Sequence, residues 1–224
     1  MRRLLKGLTD LWWRLVAFGF RLLYNELAFT YDLVSKLVSL GAWRCWQRST
    51  LKHLLLPTQS PILELAHGTG NLQLDLKEAG YITFGCDLSP QMGRIAQAKL
   101  HRTGQRASFT RNRAQALPFE TGVFAAVIST FPTSFIIDPA TLHEIRRVLR
   151  DDGRLVIVPS GVLTGGDVIA RFIMWLYRIT GQGEVDGPLA ALTRYIAGYG
   201  FEVVTATEIC PRSRALVIIA MKKV

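Results

Sequence analysis

The most constraining feature of this chain is an apolar strand that runs into a glycine turn, followed by a second strand that ends on an acid. Its residues are Ile62-Leu63-Glu64-Leu65-Ala66-His67-Gly68-Thr69-Gly70-Asn71-Leu72 and then Gly85-Cys86-Asp87-Leu88-Ser89. Glycine lacks the Cβ that would hold a ligand away from the backbone, so the turn admits a nucleotide-like molecule. Asp87 lies 23 positions after Glu64, close to the roughly 20 residues that bring a second-strand acid beside a ribose in dinucleotide folds. Two details argue against a pyrophosphate. Ala66 stands where the dinucleotide fingerprint has its first glycine, and the Glu64 carboxylate would repel phosphate. An acid there suits a ligand carrying an ammonium and a sulfonium.

Glycine and proline punctuation predicts strands near 61–66, 81–86, 107–110, 123–129, 154–159, 201–207 and 214–222, with helical patterns between most of them. The expected fold is α/β, a Rossmann-like doubly wound sheet of seven strands. It is mainly parallel, with an antiparallel last strand after the short turn at Pro211. Ligands in such sheets bind at the carboxyl ends of the strands, so Glu64, Asp87, Ser129 and Thr130 should converge on one crevice. The acceptor side should be Phe131-Pro132-Thr133-Ser134-Phe135. An apparent insertion from Gly161 to Gly187 holds the apolar run 172–177, which either walls a pocket, touches lipid, or is the ordinary helix between strands five and six. The domain division expected is a helical extension over 1–56 and one ligand-binding domain over 57–224, a length that buries about 70% of the unfolded surface.

Nine bases and three acids fall in residues 1–56, against 18 and 14 in the remainder, so the net charge of +10 is concentrated in the N-terminal arm. On a helix over about 3–24, Arg3, Lys6, Asp10, Arg14 and Arg21 share a narrow arc while Leu, Trp, Phe and Val cover the rest. Asp10, Arg14 and Arg21 would interrupt a span across a bilayer. A helix lying in an anionic membrane interface fits, and packing on the domain or on a second subunit is the plainer alternative. Three cysteines without CxxC spacing, Cys45, Cys86 and Cys210, argue against a disulfide framework and against a zinc site. The expected setting is therefore cytoplasmic, with peripheral membrane association through the helix and no metal.

Taken together, the turn, Asp87-Leu88-Ser89-Pro90-Gln91-Met92, Ala116-Leu117-Pro118-Phe119, the strand Phe124–Thr130 and the segment Ile145–Val158 resemble class I S-adenosylmethionine-dependent methyltransferases. Within that class, Thr30-Tyr31-Asp32 resembles the branch with a methyltransferase type 11 domain that acts on quinones and phospholipids. The resemblance implies S-adenosyl-L-methionine as cofactor, bound by Tyr31, Glu64, Ala66, Gly68, Gly70, Asp87, Leu88, Met92, Ala114, Ser129 and Thr130. Asp87 would hold the ribose and Tyr31 would cover the sulfonium by a cation–π contact. Arg113 replaces the acid that many relatives offer to the adenine amino group, which moves that contact to the Ala114 backbone. Asp151-Asp152-Gly153 replaces a Pro-Gly-Gly turn, with Gly153 expected at positive φ.

Methyl transfer from a sulfonium needs alignment more than covalent help. Should a carbon or phenol acceptor require a base, Tyr31, His67 and His143 are the candidates. Neither the Asn/Asp-Pro-Pro-aromatic motif of amino-methylating nucleic-acid enzymes nor a Pro-Cys nucleophile is present, which argues against nucleic acid. The expected substrate is a hydrophobic small molecule or lipid, either a phospholipid amine or an isoprenoid quinone. A non-catalytic membrane scaffold that keeps the fold is the rival, supported by Arg113, and an RNA methyltransferase is the weaker one.

Overall fold

A computed structural model describes residues 2–166, 168–180 and 186–223. Residues 167 and 181–185 of the expected insertion lie outside the described residues, as do the side chains of Arg3, Lys6 and Asp10 in the expected charged arc.

The sheet is built on β1 (Pro61–Leu65), which pairs in parallel with β2 (Ile82–Cys86) on one side and β4 (Phe124–Thr130) on the other. Outward from β2 lies β3 (Phe109–Thr110), and outward from β4 lies β5 (Leu149–Val158). Next to β5 the antiparallel β8 (Ser213–Lys222) inserts, flanked on its far edge by β7 (Phe201–Cys210) through the tight turn at Pro211-Arg212. An eighth strand unforeseen from the sequence, β6 (Gly161–Leu163), pairs with the start of β8 and prolongs the edge that β5 occupies.

Both faces of the central strands are covered, so they read as continuous apolar runs rather than as an alternation with polar residues. Alternate residues serve opposite faces. Ile62, Ala126, Ile128 and Val156 pack with Trp46 and with Leu72 and Leu76 of α4 (Asn71–Glu78). Leu63, Leu65, Val127, Leu155 and Ile157 pack with Leu142 and Ile145 of α6 (Pro139–Val148). Trp46 belongs to α3 (Trp43–Arg48), inside the segment expected as an extension. It is fully buried, donates its indole N–H to Ser213 Oγ at 3.0 Å, and lies so close under Gly161 that a Cβ there would sit 2.2 Å from the ring.

Two expectations are corrected. Cys45 and Cys210 form a disulfide that ties α3 to the end of β7. Their separation of 165 residues hides the pairing from any spacing rule, because only the folded sheet brings them together. Gly153 is not among the positive-φ glycines, and Asp151-Asp152-Gly153 belongs to an irregular stretch of β5 where the register with β4 shifts. Glycine is required there for space: a Cβ would approach the Arg150 carbonyl oxygen at 2.8 Å.

The N-terminal arm is helical as α1 (Arg2–Tyr24), and a 3₁₀ turn at Ala28–Thr30 leads into α2 (Tyr31–Val38). Beyond β6, α7 (Val168–Ile179) and α8 (Asp186–Ala197) precede β7, so the expected insertion is helix between the fifth and later strands. Among the described residues, no helix is long and apolar enough to cross a membrane.

Candidate active site

At the carboxyl ends of β1, β2 and β4 lies a cavity of about 510 Å³. Its floor is the glycine turn. Ala66, Gly68 and Gly70 all hold φ between 54° and 77°, a left-handed conformation that folds the chain back on itself after β1. Such a φ is costly for Ala66, which has a Cβ, and is free for glycine. Gly68 lines the cavity, and a Cβ built on it would meet no protein atom within 4 Å. Gly70 faces the other way: a Cβ there would lie 2.8 Å from Cβ of Ala96, so this glycine lets α4 sit against α5 (Pro90–Arg102) and does not line the cavity.

Asp87 closes the turn. Its Oδ2 accepts the Gly68 N–H at 2.9 Å and its Oδ1 accepts the Ser89 N–H at 2.8 Å, so the carboxylate is aimed by the two backbone segments it joins. Ser89 then caps α5 by accepting the Met92 N–H, with Pro90 at the first helical position, the residue types expected at a helix start. Leu88 and Met92 give the cavity an apolar side, and Asn112, Arg113, Ala114 and Gln115 form its far end.

The roof comes from the N-terminal segment. Tyr24, Asn25 and Tyr31 line the cavity, with the Tyr24 and Tyr31 rings 5.8 Å apart. Asp32 fastens this roof to the floor. Its Oδ1 accepts from Thr69 Oγ1 at 2.6 Å and Asn71 Nδ2 at 3.0 Å, and its Oδ2 from Lys99 Nζ at 2.7 Å. Burial raises the Asp32 pKa, but the bonds from Lys99, Thr69 and Asn71 outweigh it and hold the carboxyl below its usual value. Burial, with help from Tyr24, Asp32, Asp87 and Tyr177, pushes the Tyr31 hydroxyl well above its usual value, so it stays protonated.

Of the residues expected to bind a cofactor, Tyr31, Ala66, Gly68, Asp87, Leu88, Met92, Ala114 and Thr130 surround the cavity. Glu64, Gly70 and Ser129 do not. Glu64 is buried behind the turn, where Oε2 accepts from Gln73 Nε2 at 2.7 Å, and burial raises its pKa to about 8. Glu64 thus does not line the cavity, and its hydrogen bond goes to α4. Ser129 donates to the Leu65 carbonyl at 3.1 Å and so ties β4 to β1.

The two candidate histidines also lie outside the cavity walls. His67 is buried with its ring stacked on Phe109 at 4.3 Å and its Nδ1 2.9 Å from the Gly68 carbonyl. Burial lowers its pKa. This stack explains the glycine at 85, since a Cβ there would meet Phe109 at 2.7 Å and His67 at 2.8 Å. His143, on α6, rests against Tyr199, which follows α8.

A second cavity of about 650 Å³ shares Tyr24, Phe131 and Thr133 with the first. It is mostly apolar, walled by Ala17 and Phe20 of α1, Trp43 and Trp46 of α3, and Tyr177 of α7. Phe131 lines both spaces. Its φ of 51° turns the chain sharply after β4, and its ring stacks on Trp43 with centroids 4.0 Å apart. The Phe131–Phe135 segment was expected on the acceptor side. Tyr24 and Asn25 were missed, their one signal being an aromatic-amide pair at the end of the predicted helix.

A model of the ubiE/COQ5 methyltransferase family matches residues 20–183. Demethylmenaquinone methyltransferase of Thermus thermophilus is 39% identical over 139 residues, 61% of this chain and 63% of that protein. The ubiquinone/menaquinone biosynthesis C-methyltransferase UbiE of Citrifermentans bemidjiense is 31% identical over 144 residues, 62% of this chain and 61% of that one. The chain thus covers less than two thirds of the length of these relatives. In fold it is similar to a putative S-adenosyl-L-methionine-dependent methyltransferase of Methanococcus maripaludis, with TM-score 0.65, 15% identity, and coverage of 88% of this chain and 92% of that one.

Proposed function

We propose, from the premise that the chain belongs to the ubiE/COQ5 methyltransferase family, that it is an S-adenosylmethionine-dependent methyltransferase. Its acceptor is a ring carbon of a hydrophobic quinone of the demethylmenaquinone type in its reduced, hydroquinone form, whose hydroxyls make that carbon nucleophilic toward the sulfonium methyl. The observation that carries this reading is the pair of adjoining, mostly apolar cavities, one at the strand ends with the Asp87 carboxylate in its wall, the other walled largely by aromatic rings, with Tyr24, Phe131 and Thr133 common to both.

S-adenosylmethionine supplies a methyl group on a sulfonium, a leaving group that needs no covalent catalysis. The residues present fit it. Asp87 offers carboxylate oxygens to ribose hydroxyls, the open space beside Gly68 admits the ligand against the backbone, and Leu88 and Met92 suit a flat base. Tyr24 and Tyr31 present aromatic rings to a cation. The main contribution of the chain is to hold the two reactants end to end in neighbouring chambers.

On a ring carbon the new C–CH3 bond replaces a C–H bond, so one proton must leave. Tyr31 is held protonated and cannot take it, and His67 and His143 do not line either cavity. Water is therefore the acceptor of that proton. Peripheral attachment of α1 to a membrane would bring such a substrate to the second cavity. The apolar residues exposed on that helix, Leu11 to Phe18, support this.

The test is incubation with methyl-labelled donor and separate pools of demethylated quinone held in its hydroquinone form, phosphatidylethanolamine and RNA. Label is expected in the quinone alone. Label in RNA, or in none of the three, would overturn the assignment.

A further inference from the structure

An ordinary surface helix turns its polar side to water, whereas α7 carries an apolar arc on its exposed side as well as on its buried one. Ala170 and Ile173 are buried, and Tyr177 reaches inward to donate its hydroxyl to the Val38 carbonyl at 2.8 Å. Val168, Ile169, Phe172 and Trp175 fall on an opposing arc, spaced one, four and seven residues from the first, and are 71%, 61%, 56% and 51% exposed. On α1, Leu11, Leu15 and Phe18 form a like stripe, spaced by four and seven, each more than half exposed. The two helices meet where the Trp12 indole donates to the Ile179 carbonyl at 3.0 Å. Both also wall the apolar cavity, α1 through Ala17 and Phe20 and α7 through Tyr177.

We infer that the outward faces of α1 and α7 form one docking surface for an anionic lipid bilayer, seating the apolar cavity beside the membrane so that a tailed acceptor enters it without crossing water. Charge selects the occupant. No acid occurs between Leu11 and Tyr24 or between Val168 and Ile179, whereas Arg14, Arg21, Arg171 and Arg178 do. Such helices repel their own copies and are drawn to anionic headgroups. Trp12, Trp13 and Trp175 are amphipathic rings suited to the headgroup boundary. The inference rests on the reading of a hydrophobic acceptor but extends it, because the sequence left the apolar run 172–177 open between pocket, lipid and plain helix and did not join it to α1.

The experiment uses the full chain and vesicles of phosphatidylglycerol with phosphatidylcholine, against phosphatidylcholine alone, without methyl donor. The wild type should sediment with the anionic vesicles. The pair Phe172→Ser/Trp175→Ser and the pair Leu15→Ser/Phe18→Ser should each lower partitioning at least tenfold. Both variants should keep the wild-type melting temperature and methylate a water-soluble, tail-less hydroquinone at the wild-type rate. Sedimentation of the α7 variant like the wild type overturns the two-helix surface and leaves attachment by α1 standing. Failure of the wild type to bind vesicles, with a dimer in ultracentrifugation that the α7 variant dissolves, would instead assign the face to a second copy. A wild type that binds vesicles yet methylates no quinone would count against the proposed function and not against the docking surface.

Discussion

The floor and the roof of the first cavity are made by opposite strategies. The floor is short-range: within some 25 residues β1, the glycine turn, β2 and Asp87 assemble themselves, and each group's partner is a neighbouring strand or turn. Its strain and its close approaches, at Ala66, Gly70 and Gly85, are held in place by a sheet buried on both faces. The roof is long-range. Tyr24 and Tyr31 reach the site because Asp32 finds Thr69, Asn71 and Lys99, and because Ser89 Oγ donates to the Tyr24 carbonyl at 2.7 Å. A floor of this kind is rigid, whereas a roof pinned at few points can open to admit a ligand and close over it.

The sharpest way to separate the two is to damage one and read the other. Asp87→Ala removes a ligand-facing carboxylate and leaves the Gly68 and Ser89 N–H groups without their acceptor. Charge-assisted bonds of this sort contribute about 1.5–3 kcal/mol, so affinity for S-adenosylmethionine should fall roughly 10- to 100-fold by calorimetry. An unchanged affinity would remove Asp87 from the site.

Glu64→Gln should act on stability alone, and in a pH-dependent way. The carboxyl titrates near 4.5 in an ordinary setting and at about 8 in the folded chain. As pH rises through that window the unfolded chain releases the proton first, so the wild type loses stability, by about 1 kcal/mol per pH unit at the steepest. Above about 8 the loss is complete. Glutamine keeps the bond to Gln73 and adds a donor beside Gln73 Oε1, which is buried without one. Urea midpoints of wild type and variant should therefore coincide more closely at pH 5 than at pH 9, where the variant is the more stable. Parallel pH profiles would place Glu64 in contact with solvent.

Asp32→Asn loosens the roof while sparing the floor. A drop of roughly 5-fold in cofactor affinity, on the order of 1 kcal/mol, should accompany faster hydrogen exchange in α2 with little change in β1 or β2. Because the Asp32 pKa is depressed, the clamp is intact at neutral pH. It weakens only as pH falls through that lowered value, below the usual aspartate range. The smallest effect is expected for Ala66→Gly, which relieves a left-handed backbone while adding freedom to the unfolded chain. Stability should change by about 1 kcal/mol or less with affinity retained, and a large loss of affinity would show that the Ala66 methyl group itself touches the ligand.

The sequence by itself determined the sheet, the antiparallel last strand, the turn and Asp87. Each depends on a local rule: apolar runs for buried strands, glycine for positive φ, and an acid at a strand end. Family resemblance also singled out Tyr31, Leu88, Met92 and Ala114, which the structure places in the cavity wall. Only the tertiary structure decided which side of the turn a residue serves. Glu64, Gly70 and Ser129 sit in the same motifs as the cavity residues, yet face α4, α5 and β1, since orientation follows from packing that no spacing encodes. The same holds for the Cys45–Cys210 disulfide, for Trp46 beneath Gly161, and for the outward apolar face of α7. Those features arise where segments more than 100 residues apart are brought into contact, and such contacts are chosen by the whole core at once.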